Sequence, residues 1–266
     1  MPKDVIFLKL GGSLITDKSR ARTMRRDVIR RLTDEIAEAR KATHGLPLVL
    51  GHGSGSFGHM EAKKYATADG VRTADDWRGF ADVWAAADEL NRIVMDSLAA
   101  SGVPAFRIAP SSGAILEDGK LVELPVEPVR MALEAGLLPV VYGDVVFDRT
   151  RGGGIASTEM VFANLAPALH PRRILLAGLE RGVFKDYPER KILIPRIRAG
   201  EVSARPTIEG SAYTDVTGGM LSKVREMLAL IMREENLRVL IFSGEVKGNV
   251  RRALLGADVE GTWLQK

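Results

Sequence analysis

The sequence predicts an α/β protein, a mainly parallel β-sheet covered on both faces by helices, and three observations carry that reading. Six short runs rich in leucine and β-branched residues recur along the chain: VIFLKL (5–10), LPLVL (46–50), AFRIA (105–109), LLPVVY (137–142), RILLA (173–177) and RVLIF (238–242). Longer stretches of helical periodicity separate them, the pattern of βαβ units. Five of the runs pass directly into glycine-containing turns: LGGS (10–13), GHGSG (51–55), YGDV (142–145), AGLE (177–180) and SGEV (243–246). An open parallel sheet binds ligands outside the carboxyl ends of its strands, so the recurring glycines mark a binding edge suited to phosphate.

Taken in order, the first strand carries Lys9 among apolar neighbours, where an unpaired ammonium is costly to bury. A helix follows over 24–42. Its basic stretch RTMRRDVIRR (22–31) sets Val28, Ile29 and Leu32 on one face, which reads as a solvated amphipathic helix. The second strand ends in GHGSGSFGH (51–59), a segment that either wraps an anion through uncovered backbone N–H groups or forms a flexible loop. Residues 77–101 are periodic and place Phe80, Val83, Trp84 and Ala87 at helical spacing, as plain core or as the wall of an apolar pocket. EPVRMALEAG (127–136) sets Pro128 near a helix start and Gly136 just past its end, and a long amphipathic helix spans 217–235 after Thr217. There is no repeat and no low-complexity linker; a lobe boundary falls near Pro171, dividing 1–170 from 171–266.

Composition narrows the function classes. The 266 residues, 45% hydrophobic, suffice for a substantial core. Without cysteine there are no disulfides, thiolate zinc sites or cysteine nucleophiles, and four histidines (44, 52, 59 and 170) are too few for a histidine-rich metal centre. The net charge of +4 is mild, and no basic stretch is interleaved with aromatics, so small anions fit better than nucleic acid. No apolar run approaches the roughly 18 residues of a membrane span, and the first residues do not read as a leader; a cytoplasmic location is expected.

Three lysines stand at the glycine turns: Lys9 before LGGS, Lys18 in ITDKS, and Lys223 in TGGMLSK, where Gly218 and Gly219 open a helix whose free N–H groups favour an anion. On its own, Lys18 reads as a solvated surface charge. No segment matches G-x-x-x-x-G-K-[ST] or a properly placed G-x-G-x-x-G, so neither a P-loop nor a dinucleotide fold is indicated.

The blocks LKLGGSLITDKS, GHGSGSFGH, PVVYGDVVFD, DVTGGMLSKV and the closing GTWL, in this order across essentially the whole chain, resemble the amino acid kinase superfamily. Within it, GSFGH and ITDK are most similar to the isopentenyl phosphate kinase branch and its close relatives, which include fosfomycin kinases. The resemblance implies a three-layer αβα sandwich, a homodimer, and ATP with Mg²⁺ held through the ATP phosphates. The implied reaction is phosphorylation of a prenyl monophosphate, isopentenyl phosphate, to the diphosphate in an alternative mevalonate route. The N-terminal lobe would hold the acceptor and the dimer contact, the C-terminal lobe ATP.

By position, the resemblance assigns His59 to the substrate phosphate, Gly53 and Gly58 to backbone contacts with that substrate, and Ser157 to the substrate edge. Gly11, Gly12, Ser13, Ser54, Gly218 and Gly219 would border the nucleotide, Lys18 would stabilise the transition state, and Lys9 and Lys223 would complete a cationic ring oriented by Asp144. Val83, Trp84 and Ala87 are the candidates for the prenyl tail. Two departures stand out: STEM (157–160) where relatives commonly have a serine, a glycine and two aspartates, leaving Glu159 and Met160 in the acidic positions, and GLERG (178–182) where they often have TDVDG. Asp186 of FKDYP either borders the nucleotide or forms a turn.

These residue types suit phosphoryl transfer. A phosphate acceptor with a second pKa of about 6 is already largely dianionic, so positioning and charge neutralisation matter more than a strong base. His59 can donate to a phosphate oxygen, the alternative being a loop histidine, whereas His52 reads as structural. Three functions follow: an isopentenyl phosphate kinase, a kinase of another small phosphate or phosphonate such as fosfomycin, or a catalytically silent binder on the same fold.

Overall fold

A computed structural model of the chain describes residues 4–186, 188–199 and 218–266, without the side chains of His59 and Met60. Its elements, in chain order, are β1 (Ile6–Leu10), α1 (Gly12–Ile15), α2 (Arg26–Ala42), β2 (Leu48–His52), α3 (Gly55–Lys64), α4 (Ala74–Ala100), β3 (Ala105–Arg107), β4 (Ile115–Glu117), β5 (Lys120–Glu123), α5 (Glu127–Glu134) and β6 (Leu138–Tyr142). There follow β7 (Asp144–Asp148), β8 (Gly152–Ala156), α6 (Thr158–Leu169), β9 (Arg173–Gly178), β10 (Val183–Phe184), β11 (Leu193–Ile194), β12 (Arg196–Arg198), α7 (Gly218–Arg233), β13 (Arg238–Ser243), α8 (Asn249–Leu254) and β14 (Gly261–Gln265).

All six expected strands lie in one eight-stranded sheet, in the order β12-β14-β13-β9-β1-β2-β6-β3. The six run parallel, and β14 turns back antiparallel to β13. Because successive side chains alternate across a strand, each of these strands feeds two cores. Phe7, Val49, Val141, Ile174, Leu176, Val239 and Ile241 pack on one face with α5, α6 and α7. Ile6, Leu8, Leu48, Leu50, Val140, Leu175 and Leu240 pack on the other with α2, α4 and α8. The result is the three-layer αβα sandwich. The sheet is continuous across residue 171, since β9 sits between β1 and β13.

A four-stranded sheet, β5-β4-β7-β8, and the β10–β11 hairpin are additions that periodicity did not reveal. Their strands are short, and β8 begins with three glycines; a Cβ at Gly153 would stand 2.8 Å from the Phe80 ring, so the run makes room for α4. Helix α4 starts at Ala74, earlier than its apolar stripe, because Thr73 and Asp76 form a capping box: Asp76 N donates to Thr73 Oγ1 (3.2 Å) and Thr73 N to the Asp76 carboxylate (2.8 Å). Such a cap stabilises a helix by about 1 kcal/mol. Helix α3 begins inside the glycine-rich segment, and α6 is apolar on nearly all sides with Pro167 inside it, so neither presents an amphipathic pattern. Among the described residues no helix is long and apolar enough to cross a membrane.

Candidate active site

The five glycine turns follow β13, β9, β1, β2 and β6, which are consecutive in the sheet, and so they form one rim. Each is tied to its neighbour as if the ladder ran one residue further. Gly244 N donates to Gly178 O (2.8 Å), Gly11 N to Ala177 O (2.8 Å), Gly53 N to Leu10 O (3.0 Å) and Gly143 N to His52 O (3.1 Å). Two of the turns meet backbone to backbone. A Cβ on Gly53 would lie 2.9 Å from Gly12 N, and one on Gly12 would run into the backbone of Gly55, so side chains are excluded from this crossing.

The rim opens on a cavity of about 420 Å³. Lys9, Gly11, Gly12, Ser13, Lys18, Gly53, Ser54, Ser157, Gly219 and Lys223 all line it, so the structure gathers these candidates from segments far apart in sequence. Lys9 is only 8% exposed, and the alternation of β1 points it to the face of Phe7, toward α6. There its Nζ forms an ion pair with Glu159, itself 4% exposed in the first turn of α6. Gly51 lets this helix come close, since a Cβ there would overlap Thr158 and Phe162.

Burial lowers the Lys9 ammonium below the ordinary lysine range, with Glu159 opposing it. Burial alone would raise Glu159; the charges of Lys9 and Lys223 outweigh it and hold the carboxyl below the usual range. The two shifts have opposite effects on charge: burial works against the Lys9 charge, while the Lys9 charge stabilises that of Glu159. The second oxygen of Glu159, Oε1, is buried with no hydrogen-bond partner among the described residues. Glu226, one turn beyond Lys223 on α7, is half-buried, and burial together with the Glu159 charge raises its carboxyl.

Lys18 is exposed, on a loop pinned at both ends. Asp17 N donates to Thr23 O (2.8 Å), and Arg25 grips Glu245 through two bonds of 2.5 and 3.0 Å. Ser157 is the N-cap of α6, its Oγ accepting from Met160 N at 3.0 Å.

Other expectations fall elsewhere. Asp144 is paired with no lysine among the described residues. Its carboxylate accepts from Ser111 N (3.1 Å) and Val145 N (2.9 Å), and the carboxylate paired with Lys9 is that of Glu159. The signal was present in STEM, an acid in the first turn of an otherwise apolar helix. Asp186 takes its turn-forming alternative, accepting from Lys191 N (3.0 Å) and Ile192 N (2.8 Å) to close the β10–β11 hairpin, away from the cavity. Gly58 packs on Ser54 rather than lining the cavity, and Gly218 begins α7 beside it. Val83 and Ala87 are buried, but Trp84 is 44% exposed, so the three do not share a surface. Phe80 joins Trp77 and Phe147 in an aromatic group with centroids 5.4–5.8 Å apart. His59 lies on α3 with its side chain outside the described structure, as is Thr217.

A glycine rim, a buried lysine–glutamate pair and two further lysines in one cavity at the carboxyl edge of a parallel sheet are chemically suited to a phosphate chain. Residues 4–243 match the profile of the amino acid kinase family, and the chain belongs to that family. It is 35% identical to the isopentenyl phosphate kinase of Methanothermobacter thermautotrophicus over 97% of its own length and 98% of the relative's. It is 34% identical to that of Haloferax volcanii, over 93% and 98%. Among solved structures, an isopentenyl phosphate kinase superposes with a TM-score of 0.83 at 32% identity, covering 98% of this chain and all of that one.

Proposed function

We propose that the chain transfers the terminal phosphoryl group of ATP to the phosphate of isopentenyl phosphate, giving isopentenyl diphosphate. The observation that carries this reading is the gathering of Lys9–Glu159, Lys18 and Lys223 around the crossed glycine turns, in a chain similar over nearly its whole length to isopentenyl phosphate kinases.

The problem in this reaction is the approach of two anions while negative charge spreads over the transferred group. Lysines and backbone N–H groups answer it without a nucleophilic side chain. Lys9, held by Glu159 on the cavity floor, supplies a positive charge that neither wanders nor is quenched by water. Lys18, on its pinned loop, brings a second cation from the open side, and Lys223 a third from the first turns of α7. The glycine turns let the phosphate chain lie against the backbone. His59 donates to the acceptor phosphate, and Val83 and Ala87 face the prenyl tail, where each buried methylene contributes about 0.8 kcal/mol.

The donor set fits a nucleotide–metal complex better than a resident ion. Among the described residues no three His, Cys, Asp or Glu groups stand together, and Lys9 already takes one oxygen of Glu159. Mg²⁺ arriving on the phosphates would neutralise part of their charge.

In lobe terms, residues 1–170 contribute the acceptor side and residues 171–266 the nucleotide side. A homodimer would cover edge strand β3, where Phe106 is half exposed and no strand among the described residues pairs beyond it. Light scattering measures that state directly.

The activity is tested with purified protein, ATP, Mg²⁺ and a panel of isopentenyl phosphate, dimethylallyl phosphate and fosfomycin, following ADP release. Turnover with isopentenyl phosphate is expected. Turnover with fosfomycin alone would transfer the chain to phosphonate chemistry, and none at all would make it a binder.

A further inference from the structure

A second buried polar group sits one strand away from Lys9, on the opposite face of the sheet. His52 ends β2 with no solvent exposure. Its Nε2 lies 3.0 Å from Asn91 Nδ2 on α4, its Nδ1 lies 3.2 Å from Gly53 O, and its ring stacks on Tyr142 with centroids 5.3 Å apart. Its own carbonyl accepts from Thr158 Oγ1 (2.7 Å) and Gly143 N (3.1 Å), so one residue ties together β2, α4, the turn after β6, and α6.

The bonding pattern fixes a single tautomer. Burial, with the Lys9 charge adding to it, brings the imidazole down to about 4, so the ring is neutral and carries one proton. Gly53 O can only accept, which places that proton on Nδ1; Nε2 must then accept, and Asn91 presents its N–H to it. Asn91 Oδ1 and the Tyr142 hydroxyl are both buried without partners among the described residues. An apolar cluster would be cheaper here, so the polar residues serve something other than stability.

Peptide planarity says what that is. In a trans peptide the C=O of Gly53 and the N–H of Ser54 point in opposite directions. Holding the Gly53 carbonyl toward His52 therefore turns the Ser54 N–H the other way. That N–H makes no hydrogen bond to any described residue, and Gly53 and Ser54 both line the cavity.

We propose that His52 and Asn91 are positioning residues for phosphoryl transfer: Asn91 fixes the Nδ1–H tautomer of His52, which holds the Gly53 carbonyl and so aims the Ser54 N–H at the phosphate in transit. The proposal rests on the kinase reading and deepens it. Removing a preorganised backbone-type donor from a transition state costs roughly 10²–10³ in kcat, and misaiming one should cost at least about tenfold.

Three variants separate aim from stability. His52→Asn keeps an amide donor where Nδ1 stood, His52→Leu removes it, and Asn91→Leu keeps the imidazole but removes the donor to its Nε2 that supports the tautomer. The expected result is kcat lowered at least about tenfold in His52→Leu and Asn91→Leu, KM for both substrates within about threefold, and kcat largely restored in His52→Asn. If kcat instead follows melting temperature across the three, or His52→Leu keeps wild-type kcat, the proposal is overturned. The ¹⁵N spectrum of the wild-type imidazole is read independently of turnover and should show protonated Nδ1 and bare Nε2 near pH 7. An Nε2–H tautomer overturns the proposal even in an active enzyme. A wild-type protein inactive on isopentenyl phosphate with the expected tautomer fails the kinase reading instead, and the proposal with it.

Discussion

Lys9 and His52 stand at the ends of neighbouring strands, Lys9 opposite Gly51 and Leu10 opposite His52 in the parallel register, and both are buried. Burial lowers the proton affinity of each, yet only Lys9 is given an opposite charge to pair with. The difference lies in the face each side chain enters. Lys9 points to α6, which supplies Glu159; His52 points to α4, which supplies only the neutral Asn91. A strand end under the same desolvation becomes a fixed cation where a counter-charge is provided and a fixed hydrogen-bond donor where it is not. The site uses both, the first for charge and the second for aim.

The sharpest way to break the pairing is Lys9→Met, which should lower kcat at least about a thousandfold and, by leaving Glu159 charged and buried, cost about 3–5 kcal/mol of stability. Adding Glu159→Gln should return most of the stability in urea unfolding and none of the activity. Acid separates the two residues next. His52 titrates at about 4 in the fold against 6.5 in a free imidazole, so between these values the unfolded chain binds the extra proton and stability falls as pH falls. The full difference corresponds to about 3 kcal/mol, present above pH 6.5 and lost by about pH 4. His52→Asn should flatten that slope. Glu159, whose carboxyl is depressed, loses its contribution only as pH falls below the ordinary carboxylate range.

A smaller effect distinguishes the two histidines of GHGSGSFGH. His59→Ala should lower kcat/KM about tenfold or more, the roughly 1.4 kcal/mol of a charge-assisted hydrogen bond, without touching the acid limb of stability that belongs to His52. Smaller still is the contrast along α4. Ala87→Phe should lower kcat/KM for isopentenyl phosphate and destabilise by about 1–3 kcal/mol, because that position is buried. Trp84→Ala, at an exposed position, should change stability by under about 0.5 kcal/mol and leave turnover intact.

The parallel strands were legible because burial on both faces leaves a mostly apolar run, and Lys9 stood out as the charge inside VIFLKL. The two crossing glycine turns were legible because backbone contact there leaves no room for a side chain at Gly12, Gly53 or Gly55. Glu159 was passed over as the partner of Lys9 because the two are 150 residues apart, and only the packing of α6 against β1 brings them together. The role of Asp144 comes from the resemblance alone, and its carboxylate accepts from Ser111 N instead. Trp84 was grouped with Val83 and Ala87 by helical spacing, but consecutive positions 83 and 84 diverge by about 100° around a helix, enough to carry one into the protein and the other into water.

The strand order has a consequence in time. β1 is synthesised long before β9, and in the finished sheet it lies between β2 and β9, so one of its edges cannot be paired until the chain has reached residue 178. Closing so long a connection is entropically slow, and until α6 exists Lys9 has no counter-charge to accompany it out of water. The cavity floor, begun with Lys9, is therefore completed only once α6 and β9 have been made.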